Sequence, residues 1–221
     1  MRNKICVLSM VMFFSLLLTS YFVGKQQIVR PPVRETFDVE MSASFARHYT
    51  LEEAFEEADL VVHVRVGNWL GEDEYSTYYE TNVVESYKGD CNDAIVLLQD
   101  GTSKGTYTGY PLFTHGNEML VFLKSAVDTE YENAYWIIGG WTTLLDAMED
   151  GTGDVYYVDR SGVLGESIDV SLNVASDTNL KKVLYENARK KDEVVASVYS
   201  KSKYVYEKSS VEELLMRFAD K

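Results

Sequence analysis

Leu60-Val61-Val62-His63-Val64-Arg65-Val66 is the stretch on which the fold turns. Leu60, Val62, Val64 and Val66 recur at every second residue, with Val61, His63 and Arg65 between them, and a period of two is that of a half-buried β-strand. Immediately upstream the period is helical. Leu51, Ala54, Phe55 and Ala58 form one apolar stripe, and Thr50-Leu51-Glu52-Glu53 is a capping box in which Thr50 and Glu53 satisfy each other's backbone amides. The outward face of this short helix carries Glu52, Glu53, Glu56 and Glu57. Like charges four residues apart oppose a helix, so packing of the Leu/Phe stripe must hold it.

Downstream the pattern stays extended. Tyr75 to Tyr87 is a long strand rich in Tyr, Thr and Val; Ala94 to Gln99 is a short apolar run closed by Asp100-Gly101. Further strands are expected at Met119 to Leu123, Ala134 to Ile138, Thr142 to Leu145 and Val155 to Val158. The turn Glu149-Asp150-Gly151-Thr152-Gly153 separates the last two as a hairpin. Short strands punctuated in this way build a barrel or a sandwich. The tail then turns helical. Leu180, Val183, Leu184 and Ala188 lie opposite Lys181, Lys182, Arg189, Lys190 and Lys191. Ser210 and Glu213 read as a second capping box ahead of Val211, Leu214, Leu215 and Phe218. Between them Tyr204-Val205-Tyr206 reads as extended, whereas Val194, Val195 and Val198 are compatible with a continued helix.

At the other end, residues 5–23 form one uncharged run preceded by Arg2 and Lys4. At about 1.5 Å of rise per residue such a helix just crosses a hydrocarbon core of about 30 Å. The basic flank keeps the N-terminus inside, which exports the rest of the chain. Candidate cleavage points place bulky Leu18 or Phe22 where a signal peptidase needs a small residue, so an uncleaved signal anchor is favoured over a cleaved signal. The expected organisation is a signal anchor or signal peptide over 1–24 and a Pro-bearing stalk over 25–49. An OB-like barrel over 50–165 and a helical C-terminal extension over 166–221 follow.

The net charge of −14 argues against a nucleic-acid partner, whose affinity depends on neutralising phosphates, and equally against docking on an anionic bilayer. With Cys6 in the apolar run, Cys91 is the only cysteine beyond it. The exported part therefore has no internal disulfide and no cysteine-based zinc site. His48, His63 and His115 show no metal-binding spacing, and no metal or cofactor is expected. Asp146, Glu149, Asp150, Asp154 and Asp159 read as a polar hairpin rather than a calcium loop, because Met148 interrupts the alternation. No Gly-x-Ser-x-Gly elbow or phosphate-binding glycine loop is present.

The order of elements is the most telling feature. A helix ending in Glu57-Ala58-Asp59-Leu60-Val61-Val62 leads to Val84-Glu85-Ser86-Tyr87-Lys88-Gly89. Then come Gly116-Asn117-Glu118-Met119-Leu120-Val121-Phe122-Leu123 and Tyr135-Trp136-Ile137-Ile138-Gly139-Gly140. Over about residues 50 to 145 this resembles the netrin-like barrel of tissue inhibitors of metalloproteinases and related bacterial exported domains. The resemblance implies an OB-type five-stranded barrel and an extracellular binding role. Those inhibitors chelate a protease's zinc with a free N-terminal cysteine and are rich in disulfides; neither has a counterpart here, so no functional residue carries over.

The fold class expected is thus mainly β with flanking helices (α+β), with an N-terminal transmembrane helix and C-terminal helices. The expected function is a binding or interaction module, membrane-anchored or secreted and without catalytic activity, whose partner is an extracellular protein or a glycan. The alternatives are a protease inhibitor or regulator, or a hydrolase with a site assembled in space. Aromatics supply the candidate contact surface: Tyr78 on the long strand, and Tyr107, Tyr110 and Phe113 in the Gly/Thr/Pro-rich connection, since aromatic side chains mixed with carboxylates suit a sugar or a basic protein surface.

Overall fold

The structure, a computed structural model, describes residues 40–41, 48–107, 110–160, 178–191 and 204–221. The apolar run 5–23 lies outside them, as does most of the expected stalk. Among the described residues no helix is long and apolar enough to cross a membrane.

Helix α1 (Leu51–Glu57) begins with the capping box: Glu53 N donates to Thr50 Oγ1 at 3.1 Å and Thr50 N to Glu53 Oε2 at 2.8 Å. Its last turn contains no basic residue, yet its C-terminal carbonyls are not left to water. Lys88 Nζ donates to the carbonyls of Phe55 (2.7 Å) and Glu56 (2.8 Å), and Lys124 Nζ to that of Glu57 (3.1 Å). Two lysines from distant strands thus complement the negative end of the helix dipole and offset the glutamate repulsion.

Strands β2 (Leu60–Glu72), β3 (Ser76–Lys88), β4 (Ala94–Asp100), β6 (Glu118–Ser125) and β7 (Ala134–Ile137) close into a barrel. β2 pairs antiparallel with β3 and β6, β3 antiparallel with β4, β4 parallel with β7, and β7 antiparallel with β6. This circuit, β2-β3-β4-β7-β6-β2, is compatible with an OB-type barrel. Irregularities interrupt the β2–β3 ladder at several points between Val61 and Gly71. Such bulges increase local twist, which lets two long strands coil around a small barrel. The short strands β1 (Glu40–Met41) and β5 (Thr106–Tyr107) form a separate parallel pair.

The interior holds Leu60, Val62, Val64 and Val66 of β2 with Tyr79, Ile95, Leu97, Met119, Val121, Leu123 and Ile137. The expected half-burial of β2 is corrected: Val61 is 0 % exposed and His63 3 %. The reason lies beyond the barrel. β8 (Leu145–Glu149) pairs with β6, β9 (Val155–Asp159) with β8, and β10 (Tyr204–Glu207) with β9. Leu145, Tyr157 and Tyr206 from these strands join α1 and α3 (Lys208–Ala219, through Val211, Leu214 and Leu215) in one core over Val61, Leu120 and Phe122. On the remaining face of the added strands α2 (Thr178–Lys191) places Leu184 against Met148, Val158 and Val205. The C-terminal segment is therefore part of the same sheet through β10.

Two boundaries differ from expectation. The strand anticipated at Thr142 begins instead at Leu145, because Gly139 (φ 65°) and Gly140 (φ 56°) turn the chain into a 3-10 helix over Gly140–Thr142, where Thr142 Oγ1 donates to Gly139 O at 2.7 Å. Helix α3 starts at Lys208, straight out of β10, with no side-chain cap; Ser210 is inside the first turn and the second capping box does not form. Lys208 holds this helix to the barrel, its Nζ lying 2.8 Å from Glu212 Oε1 and 2.9 Å from Glu85 Oε2, while the Tyr87 hydroxyl donates to Glu212 Oε1 at 2.6 Å.

Gly89 ends β3 with φ 80°, and a Cβ there would stand 2.3 Å from Asp59 O and 2.6 Å from Leu60 Cδ2. Left-handed strain and a backbone clash act together, so Gly89→Ala is expected to cost about 2–4 kcal/mol. Urea unfolding of the full chain checks this; an unchanged midpoint would contradict the α1–β2 packing described above.

Candidate functional site

One face of the barrel is not covered by α1, α3 or the added strands. On it Tyr78 of β3 is opposite Leu98 of β4, and Leu98 opposite Trp136 of β7. Residues two apart share a face of a sheet, so the neighbouring row is Val96 and Ala134; Val96, Leu98 and Ala134 are buried beneath half-exposed Tyr78, Tyr131 and Trp136. Tyr131 belongs to the β6–β7 connection, and its ring lies 5.7 Å from that of Tyr78, tilted by 42°. Thr129 holds this connection, accepting from Tyr131 N (3.3 Å) and donating to Tyr131 O (2.8 Å), while Asn133 Nδ2 donates to Ala94 O at 3.0 Å. Tyr75 and Val127, at the tips of the β2–β3 and β6–β7 connections, are 73 % and 80 % exposed.

The electrostatics are set by the same two connections. The Tyr78 hydroxyl donates a short hydrogen bond to Asp73, whose other oxygen accepts from Tyr75 N (2.7 Å) and Ser76 N (2.8 Å). Partial desolvation pushes the Asp73 carboxyl up, but these three donors outweigh it and leave it below the usual carboxylate range. The hydrogen bond to Asp73, with burial and the nearby charge of Glu130, pushes the Tyr78 phenol up to about 12. Burial and the Glu130 carboxylate also raise Tyr131. At physiological pH both phenols are neutral, and the Asp73 carboxylate that accepts from Tyr78 is ionised. Lys124, next to Trp136 in register, is directed away: its Nζ lies 2.7 Å from Asp59 Oδ1.

The four aromatic residues expected to form one surface do not. Tyr78 lies on the face just described. Tyr107 is half-buried, its ring 5.5 Å from that of Trp141. Tyr110 and Phe113 are each 1 % exposed and are corrected to core residues. The connection after β5 folds inward because buried Gln99 grips it: Phe113 N donates to Gln99 Oε1 (2.8 Å) and Gln99 Nε2 to Pro111 O (2.9 Å). Tyr110 then packs edge-on to Phe113 and against Trp141, and Phe113 against Tyr79, plugging one end of the barrel. Tyr131, Trp136, Asp73 and Glu130 were missed. Trp136 had a usable signal, since alternation through Ala134-Tyr135-Trp136-Ile137 separates it from inward-facing Ile137; Tyr131 had none, because its place depends on a loop.

The other expected features fall elsewhere. His48 is exposed, His115 Nδ1 lies 3.0 Å from Gly67 O, and His63 is buried edge-on to Tyr157 with Nε2 3.4 Å from Glu118 Oε2. Among the described residues no three His, Cys, Asp or Glu side chains converge as a metal ion would require. Asp150 accepts from the amides of Thr152, Gly153 and Asp154 through one carboxylate oxygen, which makes it the organiser of its own hairpin turn. Cys91 is half-buried against the barrel core, and its thiol is pushed up by that burial.

No protein-family model matches the chain, and no curated protein does either.

Proposed function

We propose that this protein is a non-catalytic binding module, carried outside the cytoplasm by the N-terminal apolar segment as a membrane-anchored or secreted domain. The observation that supports this is the half-exposed aromatic face formed by Tyr78, Tyr131 and Trp136 over β3, β4, β7 and the β6–β7 connection. In OB-type barrels the second and third strands, with the connections after the first and fourth, form the ligand face. Counted around this barrel those are β3, β4 and the connections bearing Tyr75 and Tyr131. Amphipathic aromatics of this kind are the usual anchors of protein recognition.

The test is a peptide and glycan array probed with the full-length protein and with a Tyr78→Ala/Trp136→Ala variant. Ligands of the wild type are expected to be lost by more than tenfold in the variant, as truncating two anchors implies, while its circular dichroism melt stays close to wild type. Coincident array profiles would remove this face from the function.

The second reading, a regulator of proteases akin to the netrin-like inhibitors, draws on the strand circuit and the helix ahead of β2. The absence of a zinc-chelating cysteine requires it to act by surface contact alone.

A further inference from the structure

We propose that the Tyr78-Tyr131-Trp136 face takes the guanidinium group of an arginine carried by a basic, extended segment of a partner protein. This rests on the binding-module reading and narrows it to one class of ligand.

Three observations carry it. First, the two connections that flank the face, 73–75 and 126–133, contain Asp73, Glu74, Asp128, Glu130 and Glu132 and no lysine or arginine. Among the described residues no lysine or arginine forms an ion pair with any of these five. The nearest cation in the sheet register, Lys124, is already bound to Asp59. Second, the hydrogen-bonding sense of the face is one-sided. The Tyr78 proton is committed to Asp73, and Glu130, the residue before Tyr131, is close enough for its charge to act on both phenols. Apart from the Trp136 indole and the Tyr131 hydroxyl, what remains for a ligand is aromatic ring surface and acceptor oxygens. A sugar presents donors and acceptors in equal measure and would find few donors for its acceptors; a cation bearing only donors suits an acceptor-rich face. Third, the rings of Tyr78 and Tyr131 are tilted at 42° with centroids 5.7 Å apart, which offers a planar group a ring face to lie on, with Asp73 at the Tyr78 hydroxyl and Glu130 next to Tyr131 in the chain.

Arginine fits this better than lysine. Its guanidinium is planar, weakly hydrated, stacks on aromatic faces and grips a carboxylate with two parallel donors, whereas an ammonium is a compact, strongly hydrated point charge. The chain's net charge of −14 adds long-range attraction for a basic segment and repels a polyanion.

The probe is a fluorescein-labelled Arg-Gly-Ser repeat peptide titrated with full-length protein and followed by anisotropy, beside peptides with lysine or citrulline in place of arginine. The arginine peptide is expected to bind about three- to tenfold more tightly than the lysine peptide, and the citrulline peptide to show no saturation. Glu130→Gln, a surface change that leaves the fold intact, is expected to weaken arginine-peptide binding by about tenfold. Glu207→Gln on β10, an exposed carboxylate away from the face, is expected to leave it unchanged. Absence of arginine-peptide binding, equal binding of citrulline, or an equal loss in Glu207→Gln would overturn the proposal, the last because it would reveal only the diffuse field of an acidic protein. If array ligands depend on Tyr78 and Trp136 while the arginine peptide does not bind, the binding module stands and this ligand class falls.

Discussion

Replacing Arg160 by alanine is expected to lower the unfolding free energy by about 3–5 kcal/mol, the range for breaking a buried ion pair from one side. Arg160 follows β9 and reaches Asp146 of β8 through a fork: Nε to Oδ2 at 2.8 Å and Nη2 to Oδ1 at 2.5 Å. The two side chains are only 4 % and 2 % exposed, so solvent screening is weak. Removing the guanidinium leaves the Asp146 carboxylate in a dry site, and that desolvation, more than the lost attraction, drives the effect. The sign of the partner experiment follows. Asp146→Leu combined with Arg160→Met removes both charges and fills the space with apolar groups, so it is expected to recover most of the loss. Urea unfolding of full-length variants measures both. A double variant as unstable as Arg160→Ala would show that the cost was packing rather than an abandoned charge.

Phe113→Ala is expected to cost about 3–5 kcal/mol as well, the usual penalty for emptying a fully buried aromatic site. The same residue, judged as part of a contact surface, would be replaced at almost no cost, so the measurement discriminates sharply. Phe113 packs against Tyr79 at 5.8 Å and Tyr110 at 5.7 Å between ring centroids, and its amide is held by Gln99. Truncation empties the plug of the barrel and loosens the connection that carries Tyr110. Tyr78→Ala, on the exposed face, is expected to shift the same urea midpoint by less than a third as much. Equal effects of the two substitutions would mean that Phe113 is not where the structure places it.

The elements legible in the sequence are those whose information is local. The capping box at Thr50 works because its two hydrogen bonds span three residues. The alternation from Leu60 to Val66 selects the residues that line the barrel, because a strand has no other way to sort its side chains. In the structure Tyr78 points outward and Tyr79 into the barrel core, as the same rule requires.

Other assignments failed where a distant element intervened. Val61 and His63 occupy the polar-side positions of an alternating strand and are nonetheless buried, because β8 to β10 and α3, separated from them by many residues, supply a second core. Tyr110 and Phe113 sit in a segment with every mark of a surface loop, and Gln99 draws them into the barrel. Trp136 reads as outward from its own alternation, but it and Tyr131 come to flank Tyr78 only through the parallel β4–β7 pairing that brings β7 beside β3's neighbour.

By itself, then, the chain's local order dictates which stretches are helix or strand and which side chains share a strand face, since hydrophobic period and capping act over a few residues. Which of two faces meets water, which aromatics plug the barrel and which carboxylates flank an open tyrosine pair are settled only when strands far apart in sequence close on one another. Burial depends on what arrives opposite a side chain, and that neighbour is chosen by tertiary packing.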